Sequence, residues 1–274
     1  MRKMLGIDVS DNQGYINWAK VKAAGVEFAI LRSVRRSGNV DKQLASNIKG
    51  CKEQGIPFEF YKYTYARTEA EARAEAKTVV DALIKLGVER GCRVWYDLEE
   101  DDIINMGKAH ITKLYEAFKA ELAQHGFVAG LYKGMWDYNN KINKDDFKNE
   151  AKWLARYYRG YTEMPFGELP NDAYKPAADC DGWQFTSSGI VPGINGRCDL
   201  DIFYGAIVVP KVEPEYYQTP EFTLIDSLNK IGVDSSYKFR KKIAVANGIE
   251  NYSGTAEQNI QMLELLNSGK LLEA

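Results

Sequence analysis

The chain has 274 residues, 45% hydrophobic and 27% charged, with a formal net charge of −2. That length supports one large core with room for a second, smaller domain. The near-neutral balance excludes a protein held on nucleic acid or on a membrane surface by charge alone.

Residues 4–9 read as a strand, 17–24 as a short helix capped by Asn17, and 27–32 as a second strand. Residues 41–54 predict a helix stopped by Gly55, and 57–65 an aromatic-rich third strand. Thr68 and Glu71 spell a capping box that opens a helix over 68–86, closed by Gly87. A fourth strand over 93–98 is followed by a helix over 109–125, a fifth strand over 127–132 and a mixed segment over 136–148. Short strands at 153–157, 183–186 and 199–203 end the series, with no evident helix between the first two of them. Strands alternating with helices predict a parallel sheet with right-handed crossovers. Eight strands over this length predict an α/β fold, an irregular (β/α) barrel, with a flat doubly wound sheet as the alternative. No Gly-rich phosphate loop follows a strand, which argues against a nucleotide site.

Pro210, Pro214 and Pro220 mark 208–220 as a linker. Helical patterns over 222–231, 235–247 and 255–267 then make 221–274 a small, mainly helical C-terminal domain. So short a segment carries little core of its own. It is a minimal bundle, leans on a partner, or forms a homodimer.

Cys51, Cys92, Cys180 and Cys198 contain no CxxC pair, so no zinc site is expected. Cys92 reads as a buried free thiol, and Cys180 with Cys198 as an optional pair. The N-terminus is basic, but Asp8 cuts its apolar stretch short, so no signal peptide is read. No apolar run reaches transmembrane length.

The run Val94-Trp95-Tyr96-Asp97-Leu98-Glu99 sets two carboxylates two residues apart in an otherwise apolar stretch. On a strand they point to one side. Burying acids is costly, so the pair is either a solvated strand end or ion pair, or a working site of the kind glycoside hydrolysis uses. Asp8 lies near the end of the first strand, and Asp199 and Asp201 on the last. Catalytic residues of parallel barrels gather at the C-terminal strand ends, and closure makes the first and last strands neighbours, so Asp8 and Asp199 are expected to meet. Tyr61, Tyr63 and Tyr65 alternate along the third strand, while Tyr132, Tyr157 and Trp183 fall on the fifth to seventh. Such rings stack on sugars; the alternative for most of them is core packing.

Gly6-Ile7-Asp8-Val9-Ser10, with Gly14-Tyr15-Ile16-Asn17-Trp18 after it, resembles the opening of the glycoside hydrolase family 25 lysozymes. The likeness continues in family order through Phe60-Tyr61-Lys62-Tyr63-Thr64-Tyr65-Ala66, Tyr96-Asp97-Leu98-Glu99 and Trp153-Leu154-Ala155-Arg156-Tyr157. Trp183-Gln184-Phe185, Val191-Pro192-Gly193-Ile194 and Asp199-Leu200-Asp201 complete it. The resemblance implies a catalytic barrel over 1–207 with eight strands and about five helices. It also implies a phage-type endolysin, an N-acetylmuramidase that cuts the β-1,4 bond of bacterial peptidoglycan after N-acetylmuramic acid. In that reading Glu99 is the general acid and Asp97 its ionised partner. Asp8 and Asp199 shape the charge field, and Tyr61, Tyr63, Tyr132, Trp183 and Asp201 meet the sugar. Strand neighbours two apart have Cβ atoms about 6.5 Å apart. Rotamers move the carboxyls by more than the difference between retaining and inverting separations, so spacing does not choose. The resemblance favours net retention with participation of the substrate acetamide, and it implies no metal or organic cofactor. Lys62 departs from the family, which often has His there, a change that bears on sugar contacts rather than on the acids.

Asn251-Tyr252-Ser253-Gly254-Thr255-Ala256-Glu257-Gln258-Asn259 resembles C-terminal modules of bacteriophage and firmicute wall-lytic enzymes, which implies wall targeting. The expected partner is bacterial peptidoglycan, with no nucleic acid and no membrane. Without a signal peptide, the protein is expected to be made in the host bacterial cytoplasm and to act on the wall after release. Two competing readings are a non-catalytic sugar-binding protein on the same scaffold and a glycosidase for another N-acetylated polymer such as chitin.

Overall fold

The computed structural model describes residues 2–205, 207 and 223–274. The linker expected at 208–220 lies outside the described residues. Two compact units divide the chain, Met1–Pro210 and Lys211–Ala274.

In the first unit the chain runs through β1 (Met4–Val9), α1 (Trp18–Ala23), β2 (Phe28–Arg32), α2 (Leu44–Glu53), β3 (Phe58–Tyr63) and α3 (Glu69–Lys85). It continues through β4 (Arg93–Asp97), α4 (Asp101–Ile104), α5 (Lys108–Gln124), β5 (Val128–Gly134), α6 (Met135–Asn140) and β6 (Lys152–Ala155). After the two-residue β7 (Met164–Pro165) come β8 (Gly182–Ile190) and β9 (Cys198–Phe203). Pairing of β6 with β8 closes the sheet, and β7 only edges β8, so eight strands form the barrel. Six α-helices accompany it among the described residues, of which α4 has four residues and α6 six. The expected caps form: Asn17 accepts from Lys20 N, and Thr68 and Glu71 make a reciprocal capping box.

The barrel is not wholly parallel, which corrects the sequence-based expectation. Strands β1 to β6 and β8 run parallel, whereas β9 is antiparallel to both β8 and β1. Seven residues with no helix join β8 to β9, too few for a parallel crossover, so the chain must return as a hairpin. The start of β9, not its end, therefore reaches the barrel mouth.

Strand alternation sorts the apolar residues. Ile7, Val9, Phe60, Val94, Tyr96 and Leu131 face outward into the core shared with the helices. Phe28, Ile30, Trp95, Tyr132, Trp153, Phe203 and Ile207 fill the barrel interior. Large rings fit there because glycines face them. A Cβ at Gly6 would lie 2.5 Å from Phe28, one at Gly130 2.5 Å from Trp95, and one at Gly182 2.4 Å from Phe203. The packed interior is a floor beneath the mouth.

The second unit holds α7 (Leu224–Lys230), α8 (Tyr237–Ala246) and α9 (Ala256–Asn267), each N-capped by a Thr or Ser side chain. Its own core comprises Leu224, Leu228, Ile243, Ala244, Ile249, Tyr252, Met262, Leu266 and Leu271. The three helices form a small bundle around that core.

All four cysteines are free and buried, so Cys180 and Cys198 do not pair.

Candidate active site

At the mouth lies a cleft of ≈ 560 Å³ into which β1, β3, β4, β5 and β9 each deliver a side chain that the sequence singles out. Asp8, Tyr61, Tyr63, Asp97, Glu99, Tyr132 and Asp199 all line it, together with Tyr65 and Tyr157. Asp8 stands directly opposite Asp199 in the β1–β9 register.

Asp97 and Glu99 share the cleft, but not as two rungs of one strand. The β4 ladder ends at Asp97, whose carbonyl accepts from Thr64 N at 2.9 Å. The next carbonyl, Leu98 O, accepts instead from the Nζ of the fully buried Lys133. That side-chain contact ends the strand and leaves Glu99 in the turn before α4, with its Oε1 beside Gly134.

Burial raises the carboxyl pKa values throughout the cluster. For Asp8, burial comes first, then repulsion from Asp199 and Asp201, opposed by the hydrogen bond from Gln184; the result lies well above the usual carboxylate range. Asp97 is pushed well above that range by burial and then by Glu99, against the pull of Lys133 and Lys62. One of its oxygens, Oδ1, is buried without a hydrogen-bond partner among the described residues. Burial likewise raises Glu99, with Lys133 opposing and Asp137 adding. Asp199 is pushed up to about 7, chiefly by burial. All four carboxyls are thus shifted in the same direction, towards the protonated form, which ordinary exposed carboxylates are not.

Two expected sugar contacts lie elsewhere. Trp183 is fully buried on the outer face of β8, where its Nε1 donates to Arg156 O at 2.8 Å. Successive strand residues face opposite sides, so its neighbour Gln184 is the one that points inward. Asp201 is fully buried on the barrel interior, accepts from Trp153 Nε1 at 2.8 Å and does not line the cleft. Lys62 does not reach the cleft either. It is buried on the outer face of β3, 3.1 Å from Glu75 of α3, and its charge pulls on Asp97, so against expectation its departure from the family pattern touches the acids rather than the cleft lining.

Several lining residues escaped the sequence reading: Gln184, Trp153, Arg32, Arg35 and Arg36. A signal existed for Gln184, since a polar residue between Trp183 and Phe185 in a buried strand must face polar partners. Arg32 ends β2, in alternation with the inward-facing Phe28 and Ile30, while Arg35 and Arg36 follow the strand in a segment with no periodicity to mark them. Among the described residues, no group of three or more His, Cys, Asp or Glu side chains could hold a metal ion.

Residues 7–194 match the family model for glycosyl hydrolases family 25. The autolytic lysozyme of Clostridium acetobutylicum is 25% identical over 208 residues, covering 75% of this chain and 57% of that protein. The modular autolysin LytC of Streptococcus pneumoniae, solved with a synthetic peptidoglycan ligand, is similar with a TM-score of 0.61 and 29% identity, over 74% of this chain and 47% of that one. The catalytic domain of endolysin ply40 from bacteriophage P40 of Listeria monocytogenes is similar with a TM-score of 0.58 and 25% identity, over 75% of this chain and 95% of that domain. The chain thus spans little more than half the length of the autolytic lysozyme. With a family match that runs from within β1 to beyond β8 and takes in the acids Asp8, Asp97 and Glu99, this chain belongs to the glycosyl hydrolases family 25.

Proposed function

We propose that the first unit is a lysozyme that hydrolyses the β-1,4 bond between N-acetylmuramic acid and N-acetylglucosamine in bacterial peptidoglycan, as a phage or prophage endolysin. The observation that carries this reading is the pair Asp97 and Glu99 in one family 25 cleft, both raised by burial and Asp97 also by Glu99. Glu99 acts on Asp97 electrostatically, so the two acids titrate as a pair. Positive charge developing at the anomeric carbon, or on an acetamide nitrogen beside Asp97, draws the negative charge to Asp97 and leaves the proton on Glu99.

Glu99 then protonates the leaving glycosidic oxygen as the C1–O bond breaks, and the acetamide carbonyl closes on C1 from the opposite face. Water, giving its proton back to Glu99, opens that ring with net retention. Asp97 stabilises the cationic acetamide, and Asp8 and Asp199 set the surrounding charge. Tyr61, Tyr63 and Tyr132 supply ring faces and hydroxyls to the sugars.

The test is mass spectrometry of fragments released from purified walls. New reducing ends on N-acetylmuramic acid support the reading; reducing N-acetylglucosamine, or no release, overturns it. Glu99→Gln keeps the shape and removes the proton, so turnover should fall by about 10²–10⁴-fold. Asp97→Asn should fall comparably.

The second unit is proposed to target the wall. Removing residues 208–274 should abolish wall retention while leaving the oligomeric state unchanged; a change of oligomeric state alone would point to dimerisation instead.

A further inference from the structure

The cleft rim carries charge that the acid chemistry does not use. After β2 the chain forms a short hairpin closed by the Val34–Val40 bridge, with Arg35 N donating to Asn39 O at 2.9 Å. Arg32, Arg35 and Arg36 all line the cleft. Two carboxylates, Asp11 and Asp41, neutralise part of this charge. Arg32 is held by both, with its Nε 2.8 Å from Asp41 Oδ2 and its Nη2 on Asp11. Arg35 reaches only the other oxygen of Asp11, at 3.7 Å, and its Nε is buried without a hydrogen-bond partner among the described residues. Arg36 makes no ion pair among the described residues; its guanidinium lies 4.5 Å over the ring of Tyr65. Three guanidiniums thus share two carboxylates, and the surplus positive charge sits at the hairpin, steadied by an aromatic face.

That placement is informative because the rest of the cleft is acidic. Asp8, Asp97, Glu99 and Asp199 favour a cationic centre and offer an anionic substituent on the substrate no positively charged partner. A guanidinium fork on the rim reverses the preference locally and matches a carboxylate in shape as well as charge.

We propose that Arg36, with Arg35 behind it, is a carboxylate-recognition element that selects glycans carrying an acidic substituent over neutral N-acetylated polymers. This rests on the hydrolase reading above and adds to it the feature by which the substrate is distinguished. In peptidoglycan the carboxylate belongs to the peptide where a stem is attached, since the stem is joined by an amide to the lactyl carboxyl, and to the lactyl ether itself where muramic acid carries no stem. Arg36 acts on binding, not on the bond that breaks.

The experiment compares four preparations of the same glycan: strands with stems, strands stripped of stems, and each of these with carboxylates converted to neutral amides. For the wild type, neutralisation should raise KM about three- to tenfold, the range for a partly exposed charge-assisted contact, with kcat little changed. Arg36→Gln should lose most of that difference, and Arg36→Lys should recover part of it. An effect in stripped strands assigns the lactyl carboxylate, and one confined to stem-bearing strands assigns the peptide. Matching melting curves establish that the variants are folded. Equal KM for charged and neutral strands in the wild type overturns the inference, as does an Arg36→Gln variant that keeps the wild-type preference. If the wild type cleaves none of the four, the hydrolase reading itself falls, and this inference with it.

Discussion

The side-chain amide of Gln184 donates to Asp8 Oδ2 at 2.7 Å, joining residues 176 positions apart in the chain. Its carbonyl oxygen accepts from the hydroxyls of Tyr132, at 2.8 Å, and Tyr157, at 3.3 Å. One buried amide therefore orients an acid and two rings of the same cleft. Gln184→Leu keeps the bulk and strips all three partners. It should cost about 1–3 kcal/mol of stability, because buried polar groups are left unsatisfied. It should also lower kcat/KM, while Gln184→Asn, shorter but still polar, should recover more stability than activity. Thermal melts and wall-turnover assays check both halves.

Lys133 supports the two central acids from behind. Its buried ammonium bonds to Leu98 O and draws the carboxyls of Asp97 and Glu99 downward. Lys133→Met removes that cation. The acidic limb of the pH–rate profile, which follows ionisation of the pair, should then move to higher pH. A profile that keeps its limbs while losing only amplitude would assign Lys133 a purely structural part.

Asp199 links the cleft to stability. Its carboxyl is pushed from 3.8 up to about 7, chiefly by burial. Below pH 3.8 it is protonated in the folded and unfolded chain alike, and no stability is lost. Between there and about 7 the folded protein retains a proton that the unfolded chain has released, so stability falls as pH rises, and the loss is complete above 7. Urea unfolding at pH 5 and pH 7.5 should show the wild type weaker at the higher pH. Asp199→Asn should reduce that difference.

The barrel floor tolerates no extra atom at Gly130. A Cβ there would stand 2.5 Å from the Trp95 ring and 2.9 Å from Arg93 Cδ. Gly130→Ala should therefore destabilise by about 1–3 kcal/mol through overpacking, read as a lower melting temperature. Pocket geometry should suffer with it, because Trp95 belongs to the layer beneath Asp97.

What the sequence determined by itself was local. The capping box at Thr68 and Glu71, the cap at Asn17 and the alternation of β1 to β6 depend on neighbours a few residues away, so they could be read from order alone. That the first and last strands are neighbours was legible too, since closure of eight strands demands it, but Asp8 meets Asp199 only because the last strand is reversed. Tertiary structure decided which side of a strand faces in, and in which direction the last strand runs. Trp183 and Gln184 differ by one position, and the sequence reading favoured the aromatic; the register opposite Asp201 puts the amide inside instead. The direction of β9 followed from a connection too short for a crossover, and that reversal carries Asp199 to the mouth at the start of its strand. Glu99 left the strand because Lys133, 34 residues further on, takes the carbonyl that would have extended it. Each of these outcomes depends on a partner distant in sequence, and only the closed barrel brings such partners within hydrogen-bonding reach.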